Sequence, residues 1–221
     1  MSTTTTLTRA AGLAAAAAGI IFVGVQIGHP TMDAATIGTT EVVLRNSLKL
    51  VMAVLAVVGI SAMYLHDRRR NGRLGLVGFV VLTLGYVLVA GTSFVAAVVL
   101  PRAAGTDPAY VNDAAAVLTG GSATGDVGLL GPVFQVQSAT YLLGGLLFGI
   151  ALLRAGVLSR WASALLAVGG LVSVALSLMP DAFYRLLALP HGIAMVALGI
   201  SLWTSARATA DAPAEVAVGA A

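Results

Sequence analysis

An all-α fold, a polytopic bundle of six membrane-spanning helices, is what this sequence predicts. Of its 221 residues 58% are hydrophobic and only 10% charged, where a soluble domain carries about 25% charged residues. Its apolar runs reach the roughly 20 residues that a bilayer crossing needs. Its arginines gather in every second connection between those runs. The net charge of +3 therefore reports topology, and without interleaved aromatic and basic residues no nucleic-acid partner is expected. The chain has no cysteine, which excludes disulfides, thiolate metal ligands and cysteine nucleophiles.

Residues 1–6 are polar and expected to be disordered. The first span, about 7–28, is rich in small residues that let helices approach closely. A charged start at Arg9 before an apolar run also resembles a signal peptide, but the run is long for one and Gln26, Gly28 and His29 make a poor cleavage site. A short polar loop with Asp33 leads to the second span, 42–65. His66 to Arg73 reads as a tight basic turn, able to meet anionic lipid head groups but read here as topogenic. The third span, 74–100, is expected to stop at Pro101.

The long connection 102–131 reads as a lid or binding loop, with Asp107-Pro108 starting a short helix inside it. The fourth span covers 132–153, with Gly145 and Gly149 as a helix contact. Spans five and six cover 161–178 and 183–203, the last interrupted by Pro190. A disordered tail, 206–221, follows a transmembrane domain of 7–205. Placing both termini in the cytoplasm puts Arg9, Arg68, Arg69, Arg70, Arg73, Arg154, Arg160 and Arg207 inside, eight of the twelve basic residues.

At Leu152-Leu-Arg154-Ala-Gly156-Val-Leu158-Ser-Arg160-Trp161, with Leu165-Leu166 and Gly169-Gly170 beyond, the sequence resembles a family of small six-span bacterial integral membrane proteins catalogued as a domain of unknown function. Glu41 and Arg45 match its Glu-x-x-x-Arg at the start of the second span, and Asp33-Ala34-Ala35 a preceding element. Ser159 stands where proline is usual, and Asn46 where an apolar residue often follows the arginine. The resemblance implies the six-span fold and the bacterial inner membrane, and brings no activity with it.

Functional candidates concentrate in the outer halves of the spans. Glu41, Arg45 and Lys49 form one helical column, with Lys49 about 12 Å below Glu41. Charges at that depth are costly unless partnered, hydrated or in use. They either snorkel or line a pocket, which the direction of Lys49 and His191 decides. Asn46, Gln137, Tyr141, Tyr184 and Arg185 complete the ligand-binding candidates, with Gln137, Ser138 and Tyr141 expected on one face. Glu41, Asp181 and His191 are candidate catalytic groups.

No Gly-x-Ser-x-Gly, His-Glu-x-x-His or P-loop motif is present. No cofactor is implied and no metal is expected: His29, His66 and His191 lie far apart in sequence, and a site built from His29, His191 and Glu41 is geometrically possible but disfavoured. The function expected is binding or transport of a small polar or amphipathic ligand, anionic if Arg45 and Lys49 meet it, with a homodimer if it is a carrier. Two alternatives stay open. One is an enzyme on a lipid or isoprenoid, such as a terpene cyclase initiated by a neutral carboxylic acid, Glu41 or Asp181, with Tyr141, Tyr184 or Trp203 facing a carbocation. The other is an accessory membrane subunit.

Overall fold

The computed structural model describes residues 3–177 and 188–211, all-helical where described. The long helices are α1 (Thr3–Gln26), α2 (Thr40–His66), α3 (Arg68–Phe94), α6 (Leu130–Ala155), α7 (Arg160–Ser177) and α8 (Ala188–Asp211). A π-helical turn, Val95–Val99, and the short α4, Leu100–Ala103, continue α3, and α5 is Pro108–Leu118. Among the described residues five helices are long and apolar enough to cross a membrane. They are α1, α2, α3 extended to Ala103, α6, and the 189–207 part of α8. The chain is thus a multi-pass membrane protein. Asp181, Tyr184 and Arg185 lie outside the described residues.

The six long helices close one ring, in the order α1, α2, α3, α6, α7, α8 and back to α1. Its two tightest interfaces are made by glycine. A Cβ at Gly12 would lie 2.7 Å from the carbonyl oxygen of Gly199, and one at Gly19 would overlap that of Gly192. These helices touch backbone to backbone, which residues larger than glycine would prevent. In the same way α3 and α6 meet at Gly78 on Phe148, Gly85 on Tyr141 and Gly144 on Leu82. Gly149 meets Ser163 and Ala167 of α7, whereas Gly145 makes only ordinary contact, with Leu166 and His191. Met52, Ile60, Leu82, Phe148, Leu166, Met195 and Leu198 fill the centre of the ring, so the bundle encloses a packed core. The chain circulates in one sense through α1–α3 and α6–α8, although these halves run in opposite directions.

Several boundaries differ from expectation. Thr3 to Thr6 are helical, with Thr8 Oγ1 donating to the carbonyl of Thr4 (3.0 Å). Pro101 does not stop the third span. The preceding turn widens by one residue into the π form, which makes room for a ring that would otherwise press on the carbonyl four residues back. The basic turn is itself mostly helix. Asp67 caps α3 by accepting from Arg70 N–H (3.1 Å), and only Gly72, at φ 59°, departs from helical geometry. At the far end α8 reaches Asp211, into the segment expected to be a disordered tail.

The connection 102–131 is not a loose lid. A second apolar cluster joins Ile37 and Val42 to Leu100, Val111 and Ala114. It seats α5 and the 30–40 loop on the ends of α2 and α3. Asp107 caps α5 through Tyr110 N–H (3.0 Å), with Pro108 in the first turn, as its sequence predicts. Asn112 Oδ1 accepts from Ala34 N–H (2.8 Å) and locks the two loops together. This capped end lies opposite the arginine-rich end.

Candidate functional site

Three arrangements at the capped end bear on function: a charged clasp, a buried aromatic cluster and a surface groove. The clasp is the Glu41–Arg45–Lys49 column. Arg45 Nε and Nη2 both reach Glu41 Oε1 (3.0 and 2.9 Å). Its Nη1 donates to the carbonyls of Val25 (2.9 Å) and Ile27 (2.8 Å). Val25 and Ile27 bracket the last residue of α1, whose final carbonyls have no helical partner. Arg45 therefore caps α1, with the sign that the helix dipole favours.

One turn deeper, Lys49 Nζ lies 3.1 Å from His29 Nε2, and His29 Nδ1 lies 2.8 Å from the carbonyl of Pro30. A carbonyl only accepts, so Nδ1 carries the proton, Nε2 presents a lone pair and Lys49 donates to it. Asn46 is buried and donates to the Val42 carbonyl (3.0 Å). The column neither snorkels freely nor lines an open pocket. Its donors hold the end of α1 and the loop after it, so Arg45, Asn46 and Lys49 are occupied rather than waiting for an anionic ligand.

The Glu41 side chain is 56% exposed and paired with Arg45. A cyclase proton donor needs an apolar enclosure, which Glu41 lacks.

The cluster lies deeper. His191 of α8 is 1% exposed, and its Nε2 is 2.9 Å from the hydroxyl of Tyr86 on α3. Its ring stacks on Tyr141 of α6 (centroids 4.6 Å apart) and meets the edge of Phe22 of α1 at 6.0 Å. Three other helices thus converge on one imidazole, which faces the interior and not lipid. The Tyr141 hydroxyl is buried beside that of Tyr86 but makes no well-formed hydrogen bond. Above the cluster, Thr92 Oγ1 lies 2.8 Å from the side-chain oxygen of Gln137 and also bonds the Leu88 carbonyl (3.1 Å). One hydroxyl has one proton, so the amide is better satisfied rotated, with its N–H donating to Thr92.

Gln137 and Tyr141 thus point inward, while Ser138, expected on their face, is exposed and points into the groove. Tyr86, Thr92 and Phe22 escape a reading of the sequence because lone aromatic or hydroxyl residues in apolar spans look like packing. Trp203, a candidate cation-stabilising ring, lies at the arginine end beneath the Arg9 guanidinium (5.0 Å). Glu41, His29 and His191 have separate partners, and no three metal-ligating side chains converge among the described residues.

The groove, of about 630 Å³, runs between the 117–128 segment and the start of α6. Ser122, Asp126, Gln135 and Ser138 line it together with Val117, Val127, Pro132 and Phe134, so each wall carries both polar and apolar residues. Its outer wall is tied down by Asp113, whose carboxylate accepts from Thr124 N–H (2.8 Å), Thr124 Oγ1 (3.0 Å) and Gly125 N–H (2.9 Å).

The Thr124 N–H foremost, with Gly125 N–H and the Thr124 hydroxyl, holds the Asp113 carboxyl below its ordinary value of 3.8, partly offset by desolvation. Asp33 is held down likewise, mainly by Thr36 N–H and then its hydroxyl. Because both values are depressed by folding, this stabilisation is complete above the unfolded value and is lost as pH falls through the lower folded ones. Hydrogen exchange, corrected for the intrinsic amide rate at each pH, should therefore show 30–40 and 119–129 opening well below pH 3.8 and protected at about pH 5. Asp113→Ala should open the second segment alone, at any pH.

Compared with protein-family models, curated proteins and solved structures, the chain shows no match to any of them.

Proposed function

We propose that this protein is a six-span bacterial inner-membrane protein, with both termini cytoplasmic, that binds an amphipathic ligand in the groove between its extracytoplasmic cap and α6. The observation that carries this reading is the composition and position of the groove. Polar and apolar side chains line it together at the start of α6, and sites for amphipathic molecules combine such linings. α7, fifth in the ring, supplies the sixth crossing beside the five long apolar helices, and the arginine-rich end is the cytoplasmic one by the distribution of positive charge.

The ligand class differs from the one that Arg45 and Lys49 suggested. Those cations are engaged elsewhere, and Asp126 is the one charged residue along the groove. A neutral or cationic polar end fits that lining better than an anionic one. Binding is favoured over alternating-access transport because the ring has a packed centre. Its two halves also circulate in one sense, whereas a two-fold axis in the membrane plane would reverse the sense in one of them.

The test uses Ser138→Trp, which fills the groove from an exposed position. After extraction in a native-lipid polymer disc, the wild-type chain should retain a defined amphipathic molecule that mass spectrometry detects. The variant should retain at most about a tenth of what Lys49→Ala retains, as for binding weakened by roughly 1.4 kcal/mol. Equal retention by the two variants would defeat the proposal.

A further inference from the structure

We propose that the groove selects a primary ammonium head group, and that Asp126 is the residue that selects it. The inference rests on the groove being a binding site and narrows its ligand to an amphipathic amine. Asp126 is exposed, lines the groove and is pinned on both sides. Before it, Gly125 N–H donates to the Asp113 carboxylate (2.9 Å). After it, Gly128 turns the chain at φ 58°, a conformation that few other residues tolerate. Asp126 Oδ1 accepts from Gly128 N–H (2.7 Å), while Oδ2 has no hydrogen bond or ion pair among the described residues. The carboxylate is thus positioned by its own backbone and only half used.

The rest of the polar lining asks for a donor. No lysine, arginine or histidine lines the groove among the described residues. Ser138 Oγ gives its proton to the Phe134 carbonyl (2.9 Å), so it meets a ligand through its lone pairs. Gln135 lies one turn earlier on the same face of α6 and presents an amide oxygen as a further acceptor. A carboxylate only accepts, and a primary ammonium carries three donors. A quaternary ammonium has the same charge but no N–H, and an alcohol has one donor and no charge. A carboxylate or phosphate would meet Asp126 as a like charge.

The chain attached to that nitrogen has a place as well. Val127 and Phe134 line the groove beside the acceptors. One turn below Gln135 and Ser138, the same face of α6 continues with Ala139 and Leu142, neither of them buried. A free amphipathic amine and a lipid with an ethanolamine head present the same ammonium, and the probes distinguish them.

The experiment adds decylamine, decyltrimethylammonium, decanol or lysophosphatidylethanolamine separately to the delipidated full chain in a non-ionic detergent at about pH 7. Native mass spectrometry counts what is retained. Wild type should retain decylamine about fivefold better than decanol, as one exposed ion pair allows, and about twofold or more better than decyltrimethylammonium. Asp126→Asn should bring decylamine within about twofold of decanol. Glu41→Gln removes the same charge outside the groove and should keep the preference. Lysophosphatidylethanolamine retained in the same Asp126-dependent way identifies a lipid; decylamine retained alone identifies a free amine. The proposal falls if wild type does not prefer decylamine to decanol, if decyltrimethylammonium matches decylamine, or if Asp126→Asn and Glu41→Gln act alike. Ser138→Trp separates this claim from the one it rests on, because it should lower retention of every probe. If it does so without any amine preference in wild type, only the head-group assignment fails; if it changes nothing, the groove itself is not the site.

Discussion

Replacing Gly144 by valine should cost roughly 3 kcal/mol or more, at the upper end of what overpacking a core does. A side chain there would overlap the backbone of Leu82, and even Leu82 Cβ would be only 2.7 Å away. Two helices in backbone contact have no flexible neighbour to give way, so α3 and α6 must separate along their length. Gly91→Val is the control. It lies in α3, the helix that Gly144 of α6 packs against, and a Cβ there meets nothing within 4 Å, so its change should stay within about 0.5 kcal/mol. Thermal or SDS unfolding midpoints of the two variants in detergent make the comparison.

His191→Ala should cost about 3–4 kcal/mol. It removes a buried ring from between Tyr141, Phe22 and Tyr86, leaving a cavity and an orphaned Tyr86 hydroxyl. His191→Phe keeps the ring and loses only the hydrogen bond, so it should cost nearer 1–3 kcal/mol. Tyr86→Phe should cost a similar amount, and combining it with His191→Phe should add little. Both changes break the same 2.9 Å bond, and residues that share a bond are not additive. An additive pair would mean that the bond contributes nothing.

The sequence states the membrane class plainly, because apolar length and arginine placement are local and one-dimensional. Cap residues are legible for the same reason: Asp107-Pro108 acts within four residues. What one sequence hides is which side of a helix meets which neighbour. Gln137, Ser138 and Tyr141 sit close in sequence, yet Gln137 and Tyr141 face inward and Ser138 a groove, since the glycine contacts of α6 set its rotation. Arg45 and Lys49 look like ligand-binding cations because their partners, the Val25 and Ile27 carbonyls and His29, are eighteen to twenty residues away. Carbonyls are invisible as partners in any sequence. Pro101 looks like a terminator because the remedy, a widened turn, costs only one extra residue.

The groove is the central claim, and the absence of cysteine from the chain allows one direct measurement of it. A single Ser138→Cys variant in proteoliposomes should react with a membrane-impermeant maleimide added from the side opposite to the one that labels Arg69→Cys. Returning the lipid extract of the source membrane to delipidated protein should slow that reaction about tenfold or more, as for a site held by ligand nine-tenths of the time, and leave Arg69→Cys unaffected. Labelling of Ser138→Cys from the same side as Arg69→Cys, or at a rate that the extract does not change, would contradict the account.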